Sequence, residues 1–192
     1  MAKNKSEIHQ LLSEPKMFDA SIELLNEFEK FQNELFVEFW NKLIKIFKES
    51  KLLSEWKIVF APEIDISYSD INILNKNYKE GVVYYHIYFS PSYFIYGISF
   101  DESNNKINID ELYNEAKKFK EYKWRMGNKN SLEMPIYKQI KSIDLKDKKE
   151  FKKLLSISID DTVKDVFNEI MLGFTKDVQN LITHQSKRTK II

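Results

Sequence analysis

Val82-Val83-Tyr84-Tyr85-His86-Ile87-Tyr88-Phe89, then Ser90-Pro91-Ser92-Tyr93, then Phe94-Ile95-Tyr96-Gly97-Ile98-Ser99-Phe100 is the stretch that decides the fold. Aromatic and β-branched residues crowd both arms, as they do in pleated strands, and the Ser-Pro-Ser turn between them makes an antiparallel hairpin. Both faces of the first arm are apolar or aromatic, which predicts a central hairpin covered on both sides. Gly97, inside the second arm, marks a bulge or a close backbone approach.

Upstream, Trp56-Lys57-Ile58-Val59-Phe60 alternates as a strand does, Pro62 interrupts, and Ile64, Ile66 and Tyr68 alternate again before Asp70, predicting two short strands. Before them, Leu24, Phe28, Phe31, Leu35, Phe39, Leu43 and Ile46 recur at three- and four-residue steps, predicting a long amphipathic helix over residues 17–48. Ile22, Leu25, Phe36, Trp40 and Phe47 widen its apolar stripe, as expected of a helix packed on a sheet or between two neighbours.

Downstream, Asp110 is placed to cap a helix running toward Tyr122, which Gly127 and Asn128 would end. Residues 136–140, entered after Pro135, read as a short edge strand, because proline lacks the amide that a central ladder needs. Two helices close the chain, over residues 146–155 and 160–182. The expectation is an α+β domain over residues 1–183, its antiparallel sheet centred on the aromatic hairpin and packed by long N- and C-terminal helices. A mobile basic tail over residues 184–192 would follow.

With 192 residues, 43% hydrophobic and 31% charged, the chain can bury a real core. It has no cysteine, so disulfides and thiolate metal sites are excluded. Residues 1–10 lack the apolar run of a signal peptide and no run approaches the length of a membrane span, so the expectation is cytoplasmic with no membrane partner. Heavy use of Lys, Asn, Ile, Tyr and Phe points to an A/T-rich genome, bacterial or phage. The net charge is only +1, but it is unevenly spread: residues 1–110 carry −5 and residues 111–192 carry +6. Such asymmetry favours an anionic partner on one side or a head-to-tail self-contact.

The basic charge concentrates at residues 117–129. Lys117, Lys118, Lys120, Lys123, Arg125 and Lys129 surround Phe119, Tyr122 and Trp124. Interleaved cations and rings bind phosphate by charge and bases by stacking. Lys117, Lys118, Lys120, Lys123, Trp124, Arg125 and Lys129 are therefore the candidate nucleic-acid-binding residues, and the part from Lys120 through Lys129 is the sharpest candidate.

Other chemistries find little. His9, His86 and His184 have no ligand spacing, so no metal, cofactor or catalytic residue is assigned. His86, among aromatics, reads as a hydrogen-bonded sheet residue rather than a catalytic base. Nuclease chemistry of the PD-(D/E)XK type needs two acids on a divalent cation and a lysine. Glu63, Asp65 and the Glu121-Tyr122-Lys123 triplet imitate it, but acid-x-Lys recurs throughout this charged chain.

The order of features nonetheless resembles the C-terminal portion of PD-(D/E)XK-like proteins of bacterial defence and mobile elements. The resemblance rests on a long helix bearing Phe39-Trp40, then Tyr96-Gly97-Ile98, a basic segment with Trp124, then Met134-Pro135-Ile136-Tyr137 and a closing helix, over residues 24–182. It implies a recognition module without catalysis, because the family's catalytic acids and lysine lie upstream of this portion. The leading expectation is a non-enzymatic binding protein contacting nucleic acid or a nucleoprotein complex, one form being a phage or mobile-element inhibitor of a host defence complex. The alternative is a protein-interaction module, such as a homo-oligomer, using the hairpin or the long helix. The third is a metal-dependent nuclease.

Overall fold

A computed structural model describes residues 13–64, 66–77, 83–90, 93–100, 109–119, 123–124, 136–147, 149–155 and 158–188. Helix α1 spans Pro15–Glu49, with Pro15 at a first-turn position where its missing amide costs nothing. Strands β1 (Trp56–Phe60), β2 (Ser69–Asn75), β3 (Val83–Ser90) and β4 (Tyr93–Phe100) follow, then helix α2 (Ile109–Ala116). Strands β5 (Lys123–Trp124) and β6 (Ile136–Gln139) precede helices α3 (Ile159–Gly173) and α4 (Lys176–Arg188).

The sheet has strand order β1-β2-β3-β4-β6-β5, every pairing antiparallel. The aromatic hairpin is central, as its composition requires. Its register, Ser90 opposite Tyr93 and Val83 opposite Phe100, leaves a two-residue connection.

One face of the sheet carries the core. Ile71, Ile73, Val83, Tyr85, Ile87, Phe89, Phe94, Tyr96, Ile98, Phe100 and Ile136 join there with the buried apolar side chains of every described helix. Phe36 of α1 stacks on Phe89, Trp40 meets Phe94, and Phe174 is wedged against Trp56 and Tyr85. The Tyr85 hydroxyl donates to the Ile170 carbonyl near the end of α3, an oxygen that also accepts the Phe174 amide.

Gly97 performs the close approach expected of it. A Cβ at this position would lie 1.9 Å from the Ile136 carbonyl oxygen and 2.7 Å from the Tyr137 Cα. Glu169 of α3 then fixes the chain leaving β6: its carboxylate accepts the Lys141 and Ser142 amides, both at 2.8 Å, and the Ser142 hydroxyl.

Several sequence expectations are corrected. The second strand is Ser69–Asn75, not residues 64–68, because Ile64 and Ile66 pack from the preceding loop, where the Ile66 amide donates to Asn33 of α1. The helix starting near Asp110 ends at Ala116 rather than near Tyr122; Lys123–Trp124 pairs with β6 instead, tertiary pairing overriding helical propensity. Strand β6 is consequently not the edge: it pairs with β4 and β5. Among the described residues of 146–155, the helical element is a 3₁₀ turn, Glu150–Leu154.

The final helix is two. Gly173 and Phe174 interrupt it, and Thr175 restarts it, its hydroxyl accepting the Val178 amide. Helix α4 runs through Arg188 with Gln185 and Ser186 buried, so the boundary drawn at residue 184 for a tail moves C-terminally.

Candidate nucleic-acid interface

Across the sheet, Val59 pairs with Asn72, Asn72 with His86, His86 with Gly97, Gly97 with Tyr137 and Tyr137 with Lys123. Directly opposed residues share a face. These six therefore form one row over all six strands, on the face away from the core. A second row on that face runs Asp70, Tyr88, Ile95, Gln139, and Tyr84 opposite Ser99 extends the other flank. Lys57, two residues from Val59 and exposed, adds a cation at the β1 edge.

The period-two alternation of β3 thus sorts its residues by chemistry. Val83, Tyr85, Ile87 and Phe89 enter the core, whereas Tyr84, His86 and Tyr88 take the outer face. His86 is only 6% exposed and its ring lies between those of Tyr84 and Tyr88, at 5.7 and 5.6 Å. Tyr68 stacks edge-on against Tyr88 at 5.6 Å, and its hydroxyl donates to Asp70 Oδ2 at 2.7 Å.

Beneath these rings lies unsatisfied polar capacity. His86 Nε2 is 3.5 Å from Asp70 Oδ2, an ion pair when the imidazole is charged, yet neither ring nitrogen makes a hydrogen bond. The Asn72 Oδ1 beside it is also buried without a donor. Each such group costs about 1–3 kcal/mol if nothing meets it. Burial pushes the Asp70 carboxyl up, but contact with His86 and the Tyr68 hydrogen bond outweigh this and hold it below the ordinary carboxylate value. The result is donor and acceptor groups lying beneath partly exposed rings, beside Ile95 and Ser99, which are buried on the same face.

The sequence-assigned residues distribute unevenly around this face. Lys117 and Lys118 are exposed in the turn after α2, and Lys117 Nζ bonds Asn114 Oδ1 at 3.2 Å. Lys123 closes the His86 row. Trp124, opposite Ile136, belongs to the core-face row instead. Lys120, Arg125 and Lys129 lie outside the described residues.

Sequence reasoning did not single out Asn72, Tyr84, Tyr88 and Tyr137, which the registers bring to one face, and read His86 as hydrogen-bonded, whereas its ring nitrogens have no hydrogen-bond partner. The signal was present in the alternation Tyr84-His86-Tyr88.

Glu63 stands exposed in the β1–β2 loop, and Asp65 and Glu121 lie outside the described residues. Among the described residues, no group of three or more His, Asp or Glu side chains could hold a metal ion, and no helix is long and apolar enough to cross a membrane. No protein-family model, no curated protein and no solved structure matches the chain.

Proposed function

We propose that this chain is a non-enzymatic binding protein that takes single-stranded nucleic acid, free or within a nucleoprotein complex, on the outer face of its sheet. One observation carries the reading: Tyr84, Tyr88 and Tyr137 share a face with buried His86 and part-buried Asn72, and the register sets Lys57 at one edge of it and Lys123 at the other. Unstacked bases are recognised by aromatic stacking and by hydrogen bonds to their edges, with cations on the backbone. An imidazole and an amide oxygen without hydrogen-bond partners supply donor and acceptor for base edges. The resemblance to the non-catalytic portion of PD-(D/E)XK-like proteins agrees with recognition without cleavage.

The test is a fluorescence-anisotropy titration with labelled single- and double-stranded RNA and DNA at 50 and 200 mM salt, values chosen because phosphate contacts lose affinity steeply over this range. Single strands bind more tightly than duplexes, and affinity falls with salt. Absence of binding at the lower salt overturns the reading.

A further inference from the structure

Half of α1 has no part in the core. The helix is 35 residues long, about 52 Å at 1.5 Å per residue, yet its first buried side chain is Gln32. From Pro15 to Phe31 every residue is exposed except Ser21, which is partly covered. This segment, about 25 Å long, stands clear of the body and is not polar. Met17, Phe18, Ile22, Leu24, Leu25 and Phe31 are 41–72% exposed.

At 100° per residue these side chains occupy one half of the helix, with Glu29 among them near one margin, while Lys16, Asp19, Glu23, Glu27 and Lys30 occupy the other half. Taking about 150–250 Å² for a large side chain, the exposed apolar area is about 600 Å². That is the upper end of the largest patch on an ordinary monomer.

We infer that this stripe pairs with the same stripe of a second copy, the two α1 segments lying antiparallel about a two-fold axis near Leu24 and Leu25. Three features favour a second copy. The stripe is self-complementary: reflection about the 24–25 bond sets Phe18 level with Phe31, Ser21 with Phe28, and Leu24 with Leu25. Each ring thus meets a ring or a small side chain, and a two-fold contact needs residue i to meet j while j meets i.

The length also fits. The same reflection sets Phe18 level with Phe31, the last exposed residue before buried Gln32, so residues 18–31 of each projecting segment overlap those of the other. Finally, two stripes together bury about 1,200 Å², the lower bound of a specific, stable interface. A membrane surface suits the stripe less well. Helices that lie on anionic lipid carry Lys and Arg opposite their apolar face, whereas here Asp19, Glu23 and Glu27 dominate it.

The proposal is tested on the full chain by sedimentation equilibrium from about 1 to 100 μM, a span that brackets micromolar association. A dimer is expected, and Leu24→Glu should raise its dissociation constant at least about a hundredfold, since the charge is buried in both copies. The far-ultraviolet spectrum and melting of the diluted monomer should be unchanged, because residue 24 touches no core. Register is read by disulfide trapping, which the cysteine-free chain permits. A mixture of Ser21→Cys and Phe28→Cys chains should cross-link while neither cross-links alone. A monomer throughout the range, a dimer indifferent to Leu24→Glu, or cross-linking of either variant alone would each overturn the proposal.

Discussion

Gly97 of β4 and Ile136 of β6 are so close that a single added carbon would sit 1.9 Å from the Ile136 carbonyl oxygen. No positive φ is involved, so glycine is required here for space rather than for backbone freedom. The contact also positions the proposed interface, because Gly97 stands between His86 and Tyr137 in the row that ends at Lys123.

Gly97→Ala should therefore destabilise the fold by about 3 kcal/mol, at the severe end of overpacking, because backbone yields less readily than a side chain. Urea unfolding measures the loss. Hydrogen exchange should localise it to the amides of residues 136–139 and 95–98, and a variant as stable as the parent would refute the contact.

How legible this was in the sequence depends on which force decided each element. The hairpin and α1 were plain, since both are long and strongly periodic and their pattern agrees with their burial. Gly97 was read correctly from its place inside an apolar strand. Strand β5 was not legible: two residues carry no period, and Lys117 to Lys123 look helical until Ile136 and Tyr137 offer a ladder. The break in the last helix had a signal, Gly173 followed by Thr175, overshadowed by the continuing apolar spacing through Phe174 and Val178. The candidate site was half legible. Basic residues are conspicuous in a sequence, whereas a row over six strands exists only once the registers are set.

Trp40 contains an indole N–H that is buried without an acceptor. Trp40→Phe removes that orphan donor and keeps most of the ring, so it should cost under about 1.5 kcal/mol, whereas Trp40→Ala should cost about 3–5 kcal/mol. Denaturant midpoints of the two variants distinguish packing from polar loss.

Glu169 accepts two backbone amides and a hydroxyl from residues 141 and 142, which no other contact replaces so directly. Glu169→Ala should cost about 1.5–3 kcal/mol, the range for hydrogen bonds to a charged group. Glu169→Gln keeps one amide acceptor and should fall between it and the parent. Thermal melting of the three proteins orders them.

Asp70 ties stability to acid pH. Its carboxyl is held below the ordinary value, net of burial that pushes it up, by His86 and the Tyr68 hydroxyl. A group whose folded value is depressed contributes stability above its unfolded value, about 3.9, and loses that contribution as pH falls through the folded value. Asp70→Asn should therefore be less stable than the parent near neutrality, the gap closing below about pH 4. Melting temperatures from pH 7 to pH 2.5 test this, and a constant gap would mean that Asp70 contributes through packing alone.

The binding face makes the sharpest separation between charge and stacking. Tyr88 contributes a ring but no charge, so Tyr88→Ala should weaken single-strand binding by about 1–3 kcal/mol without altering its salt dependence. Lys123→Gln removes a cation at the end of the same row and should lower the salt slope by about 0.7 for a single strand. Trp124→Phe, in the core-face row, should change neither. Lys152→Gln, on the Glu150–Leu154 turn, removes the same charge away from this face. If Lys152→Gln reduces the slope as much as Lys123→Gln does, binding is diffuse attraction to the basic half of the chain and the row from Val59 to Lys123 is not its site.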